Sequence, residues 1–245
     1  MARLSVNLNK VALLRNSRRT GVPDLSAFAR AAIEAGARGI TVHPRPDERH
    51  IRRADVPVLS KLLEPHRPAI ELNVEGYPDA RLLDIAREVR PEQCTLVPDA
   101  PDAFTSEKGW ELDAGQDALA RPAIATLKAL GARVILFIDP DPAVVPRVAA
   151  SGADGIEIYT GAYAAAFRGG GHVALLDACV ATAEAAQVQG LVVNAGHDLN
   201  LRNIPPLVAR IPFLTEASIG HELTADALMM GFPAAVAAYA GALRG

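Results

Sequence analysis

Three stretches of the chain repeat one pattern. They are Glu34-Ala35-Gly36-Ala37-Arg38-Gly39-Ile40-Thr41-Val42, Ala129-Leu130-Gly131-Ala132-Arg133-Val134-Ile135-Leu136-Phe137 and Ala150-Ser151-Gly152-Ala153-Asp154-Gly155-Ile156-Glu157-Ile158. In each, a helical pattern stops at a glycine, the chain turns within two or three residues, and an apolar run begins. Glycine suits that joint because the residue after a helix often takes positive φ. The joint is the one that βα units share.

The segments between the joints agree. Asp24 can cap a helix whose apolar face is Leu25, Phe28, Ala29, Ala32 and Ile33, the spacing of one helical stripe. Asp79 starts another, with Leu82, Leu83 and Ala86 inward and Pro91 beyond its end. Asp141 and Pro142 read as cap and first turn of a third, closed by Gly152. Strand-like runs fall at residues 3–8, 39–43, 69–74, 94–97, 133–138, 155–159, 190–194 and 214–219. They are mostly apolar, as parallel strands covered on both faces should be. Eight such units in 245 residues predict one α/β domain over residues 1–245. The expected architecture is a (β/α)8 TIM barrel with additional helices. Segments 98–116 and 160–171 exceed ordinary loop length and read as lid-like loops or surface excursions. The alanine-rich tail 234–243 reads as a packed helix.

Composition narrows the partners. The net charge of −3 gives no basic field for nucleic acid. No apolar run reaches the roughly 18 residues of a membrane span, and the first residues lack a signal-peptide core. A cytoplasmic protein is expected, with Cys94 and Cys179 buried and reduced. Metal-ligand cysteine spacing, a Walker loop and a dinucleotide fingerprint are absent, so neither metal nor cofactor is expected.

Chemistry concentrates at strand ends. His43 ends the second run and opens a loop with Arg45 and His50. Glu71 follows Ala69-Ile70, Glu157 lies in Ile156-Glu157-Ile158, and His197 follows Val193-Asn194-Ala195-Gly196. A carboxylate amid apolar residues must be paired or hold its proton. For Glu71 the competing reading is a structural salt bridge. His66 and His172 read as solvated. Gly220-His221 leaves the last run and starts a helix, where barrels often hold a phosphate on backbone N–H groups. Arg18, Arg19 and Arg45 could grip a second anion, although arginine runs are more often solvated. From the residues alone the chain reads as a metal-free barrel enzyme using acid–base chemistry on a small phosphorylated substrate.

The segments Val6-Asn7-Leu8-Asn9-Lys10 through Arg18, Thr41-Val42-His43-Pro44-Arg45, Arg49-His50-Ile51, Asn194-Ala195-Gly196-His197 and Ser218-Ile219-Gly220-His221 resemble the pyridoxine 5′-phosphate synthase family nearly end to end. The resemblance implies a homo-octamer acting on two small phosphorylated substrates. These are 1-deoxy-D-xylulose 5-phosphate and 3-amino-1-hydroxyacetone 1-phosphate, which condense to pyridoxine 5′-phosphate, phosphate and water. It implies His43 and Glu71 as proton acceptors, His197 as proton donor and Glu157 as a carboxylate stabilising the transition state. It assigns Arg45, His50 and Thr105 to the deoxyxylulose phosphate, and Asn7, Arg18, Gly220 and His221 to the amino ketone phosphate. Three departures stand out: Asn9-Lys10 where Asp-His is expected, Asp198 in place of glycine, and Ser218 in place of asparagine. Asn9, Lys10 and Asp198 are therefore counted among the substrate-binding candidates. A retuned phosphate-binding barrel of isomerase or aldolase-like type, or a barrel that only binds a B6 vitamer, are the competing expectations.

Overall fold

The computed structural model describes residues 1–99 and 108–245. Strands β1 (Arg3–Asn7), β2 (Gly39–Val42), β3 (Glu71–Gly76), β4 (Gln93–Leu96), β5 (Arg133–Ile138), β6 (Gly155–Tyr159), β7 (Val192–Gly196) and β8 (Glu216–Ile219) are parallel and pair in chain order. β1 also pairs with β8, so the sheet closes into a barrel. Around it run α1 (Asn9–Asn16), α2 (Leu25–Glu34), α3 (Asp55–Leu63), α4 (Ala80–Val89), α5 (Ala114–Ala129) and α6 (Val145–Ser151). They continue with α7 (Gly161–Gly169), α8 (Val173–Val188), α9 (Ile204–Arg210), α10 (His221–Met230) and α11 (Phe232–Ala242).

Local capping signals explain the starts of α2 and α4. Asp24 accepts from the Ser26 N–H and Asp79 from the Leu82 N–H, capping α2 and α4. The tail is the packed helix α11. Asp141 instead accepts from the Ala143 N–H within a turn, and α6 starts only at Val145. Segment 160–171 is largely α7 rather than a long loop. Its glycine-rich end supplies Gly170 at φ 86°, the left-handed position that stops the helix. Among the described residues, no helix is long and apolar enough to cross a membrane. Cys94 and Cys179 are free and buried, and burial pushes both thiols up to about 12.

Successive strand side chains point to opposite faces. In β1, Leu4 and Val6 pack outward into the apolar layer under the helices, and Ser5 turns into the barrel. β3 does the same: Leu72 and Val74 face out, Glu71, Asn73 and Glu75 face in. The barrel interior is unusually polar. A ladder of side chains crosses its middle, from Ser5 to Thr41 at 2.7 Å, from Asn73 to Thr41 at 3.3 Å and from Thr95 to Asn73 at 3.2 Å. Glycine at 39 makes room for it, since a Cβ there would come within 2.7 Å of Ser5 Oγ.

Glu71 closes the other end. It is the first residue of β3 and pairs in register with Gly39, the first residue of β2. Its carboxylate accepts from Arg3 at 3.1 Å and from Arg133. Arg133 also donates to Gln93, whose amide donates to Glu216 at 3.0 Å. This network forms the floor of the barrel at its amino end. The expectation that Glu71 belongs to a carboxyl-end site is overturned. The strand runs over 71–76 rather than 69–74, so Glu71 begins it instead of standing near its exit. Replacing Glu71 by Gln should leave two arginines without their anion. We expect a loss of about 1–3 kcal/mol, below the range for fully buried pairs because both arginines are partly exposed. Chemical denaturation should show it, while turnover per folded molecule holds.

Candidate functional site

At the carboxyl end of the barrel the inward positions belong to Asn7, His43, Glu75, Glu157, Tyr159, Gly196 and Gly220. Glu75 lies four residues beyond Glu71 on the same strand, about 13 Å at the usual rise. It is the carboxylate that stands beside His43, with 3.9 Å between Oε2 and the His43 Nδ1. Asn7 Nδ2 donates to the same Oε2 at 3.4 Å. The sequence reading missed Glu75. The signal was present as the two-residue alternation Glu71-Leu72-Asn73-Val74-Glu75.

Backbone contacts hold this group in place. Asn7 Oδ1 accepts from the Asn9 N–H at 2.9 Å, and Asn9 Oδ1 accepts from the His43 N–H at 3.0 Å. Asn9 therefore links the exits of β1 and β2 through a neutral amide. Lys10, on the first turn of α1, is exposed. Its positive charge helps depress both His50 and His197, which puts it at the mouth they share. Arg45 is buried and paired with Asp99 at 3.4 Å. The His50 ring lies 6.1 Å from that of His43. Its Nδ1 accepts from the Ile51 N–H at 2.9 Å, so in the neutral ring the proton sits on Nε2.

His197 follows β7 in a left-handed conformation, φ 80°, and Asp198 continues it at φ 56°. Glycine takes that conformation without strain, whereas Asp pays a smaller penalty than most residues. Thr160 Oγ1 lies 2.6 Å from both the Gly196 and His197 carbonyls and fixes the turn. The His197 ring packs against Phe137 at 5.1 Å and Tyr159 at 5.2 Å. Glu157 fills the space beside Gly196, where a Cβ would meet Glu157 Oε1 at 2.1 Å. A Cβ at Gly220 would lie 3.1 Å from the Cβ and the carbonyl oxygen of Asn7, a tighter fit than side chains usually allow.

The structure thus gathers His43, Asn7, Asn9, Arg45, His50, Glu157, His197 and Gly220 at one end, with Lys10 at the rim. Arg18 lies exposed just past the end of α1, and His221 is the exposed first residue of α10. Thr105 lies outside the described residues. His66 is exposed, but His172 is half-buried and stacks on Phe167 at 4.4 Å, because α7 carries that ring to it.

Burial governs the electrostatics. It lowers His43 well below the usual imidazole range, helped by Arg45 and His50. It lowers His50 and His197 to about 4, with Arg45 and Lys10 adding to the effect. It raises Glu75 to about 7 against the pull of Arg45, and raises Glu157 well above the usual carboxyl range, with Glu75 and Glu216 adding repulsion. Burial thus favours the neutral form of all three imidazoles and of both carboxyls. That is the equipment of proton transfer. Among the described residues no group of three His, Cys, Asp or Glu is arranged to hold a metal.

With Glu75 as a base, kcat/KM should rise with pH through about 7 as its carboxyl ionises. The folded value exceeds the ordinary 4.5, so the folded state holds its proton longer than the unfolded chain does. Stability is then full below 4.5 and declines as pH rises to about 7. Glu75→Gln should abolish the pH limb and cut turnover by about 10²–10⁴. The same variant should gain up to about 3 kcal/mol at pH 8 in denaturant melts. A Gly196→Ala chain should fold but lose turnover, because its methyl displaces the Glu157 carboxyl; a pH–rate profile and circular dichroism together check this.

Comparison with known proteins bears on the site. The chain is 50% identical over 243 residues to pyridoxine 5′-phosphate synthase from Brucella anthropi, covering 99% of each chain. It is 50% identical over 245 residues to the enzyme of that name from Brucella suis, covering 100% of this chain and 99% of the relative. Among solved structures it resembles tryptophan synthase from M. tuberculosis, with a TM-score of 0.66 at 15% identity over 99% of this chain and 92% of that one. It also resembles phosphoribosyl anthranilate isomerase from Thermotoga maritima, with a TM-score of 0.61 at 14% identity over 100% of both chains. These two likenesses concern the fold alone. Residues 4–245 match the family described as pyridoxal phosphate biosynthesis protein PdxJ, and the chain belongs to that family.

Proposed function

We propose that the chain is a pyridoxine 5′-phosphate synthase, condensing 1-deoxy-D-xylulose 5-phosphate with 3-amino-1-hydroxyacetone 1-phosphate. Family membership supports the reaction. The observation that carries the chemistry is the convergence of neutral His43, His50 and His197 with the high-pKa carboxyls Glu75 and Glu157. An amine and a ketone must lose water to form an imine, phosphate must leave, and a ring must close. Each step moves a proton, and Glu75, whose carboxyl ionises near neutrality, is poised to accept it.

In this reading Glu75, with His43 beside it, accepts protons from substrate carbon or nitrogen. His197, in its fixed turn between Phe137 and Tyr159, donates to a departing oxygen once the anionic substrates offset the burial that keeps its ring neutral. Glu157, holding its proton, gives a hydrogen bond to oxygen as charge develops. His50 presents Nε2–H, and Arg45 its guanidinium, to the deoxyxylulose phosphate, with Thr105 as a further candidate. Asn7, Arg18 and the N–H groups of Gly220 and His221 at the start of α10 receive the amino ketone phosphate. Lys10 adds charge at the rim between them. Asp198 holds the turn after His197 instead of touching substrate.

The proposed assembly is a homo-octamer in the cytoplasm. Leu13 and Leu14 on α1 and Leu228, Met229 and Met230 on α10 are exposed, and the two helices are neighbours. Such a patch supports association. Light scattering of the purified protein tests the size of the assembly.

Supplying both substrates should yield pyridoxine 5′-phosphate and free phosphate, with turnover kept in a chelator. Binding of one substrate without product would favour a mere binding barrel, and product of another kind a retuned one. Lys10→Met should weaken the deoxyxylulose phosphate about tenfold in a binding titration, the size of one charge-assisted hydrogen bond. Unchanged affinity would place the lysine outside recognition.

A further inference from the structure

In the segment carrying Arg45 and His50, the backbone carbonyls of Glu48, Arg49 and His50 gather on the last turn of helix α1. Asn16 Nδ2 lies 3.2 Å from the Glu48 carbonyl, 3.1 Å from that of Arg49 and 2.7 Å from that of His50. Arg15 donates to the His50 carbonyl as well, at 3.1 Å. Its other bonds fix the arrangement. Nε donates to Asn16 Oδ1 at 3.0 Å, which sets the amide with its NH₂ toward the carbonyls. Nη1 and Nη2 grip both oxygens of Asp55, at 2.7 and 2.9 Å. Arg15 is buried, and a bidentate guanidinium–carboxylate pair is geometrically demanding. On the far side of the segment Arg81 from α4 donates to the Pro44 carbonyl and to Glu48 Oε1. Glu48 itself sits in the left-handed region at φ 52°.

We propose that Asn16, oriented by the Arg15–Asp55 pair, is a positioning residue for the synthase reaction: it holds the 48–50 carbonyls on α1 and off the phosphorylated substrate. Three adjacent carbonyl dipoles make a negative concentration that would repel a phosphate dianion. Turning them onto one amide and one guanidinium removes that repulsion before the substrate arrives. Preorganised polar groups act in this way because no reorganisation is needed at binding. The tie also fixes the His50 ring through the adjacent Ile51 N–H. Neither Asn16 nor Arg15 needs to touch substrate.

The inference rests on the reading that Arg45 and His50 bind the deoxyxylulose phosphate, and the test separates the two. Affinity for each substrate is measured on the wild-type chain, Asn16→Ala, Arg15→Lys and Arg45→Ala, together with amide hydrogen exchange over residues 45–51. Asn16→Ala should speed exchange in that segment and weaken the deoxyxylulose phosphate by about tenfold, as Arg45→Ala does, with the amino ketone phosphate within about twofold. Arg15→Lys keeps the charge but loses the fork; it should give a smaller effect of the same selectivity, and it serves should Asn16→Ala fail to fold. Faster exchange with the amino ketone phosphate selectively weakened would uphold the tie and overturn the substrate assignment. Unchanged exchange and affinities, or equal weakening of both substrates with early melting, would overturn the positioning role.

Discussion

The structure depends on one constraint: a parallel strand closed into a barrel has only every second side chain inside, and those side chains sit at fixed depths. On β3 this puts Glu71 on the floor and Glu75 at the mouth, four residues apart and with opposite duties. The first is clamped between Arg3 and Arg133; the second stands beside His43 with an amide from Asn7. Closure alone separates the stabilising carboxylate from the reactive one.

Burial then does different work at the two ends. At the floor Glu71 has two guanidinium partners, and the Gln93 and Glu216 side chains complete the network. At the mouth the carboxyls lie near one another, and desolvation prevails over the cations nearby. The cost of keeping Glu75 and Glu157 poorly solvated is the source of their proton affinity. The glycines at 196 and 220 belong to the same economy of space, since a methyl at either would displace Glu157 or Asn7.

Helix α1 joins the parts. Its first turn follows Asn7 and carries Lys10, its last turn holds the 48–50 carbonyls, and Arg18 lies just beyond it. Both proposed phosphate sites are therefore referenced to one short rigid element. The expected Asp-His at its start is Asn9-Lys10 here, and the amide still accepts from the His43 N–H. The link needs only an acceptor oxygen, which an amide supplies as well as a carboxylate.

The sequence by itself determined the barrel, the starts of α2, α4 and α10 and the positions of His43, Arg45, His50, Glu157 and His197 near strand exits. These are local properties: glycine at αβ joints, capping aspartates, and apolar runs of strand length. It did not settle the register of β3, since Ala69-Ile70 extends the apolar run backward and a strand read as 69–74 gives Glu71 the wrong end. Only pairing with Gly39 on β2 and with Gln93 on β4 sets that depth. The proton affinities, the aromatic seat of His197 and the Asn16 tie were likewise decided by tertiary structure. Each depends on distances between residues far apart in the chain, and closure of the barrel is what makes those distances short.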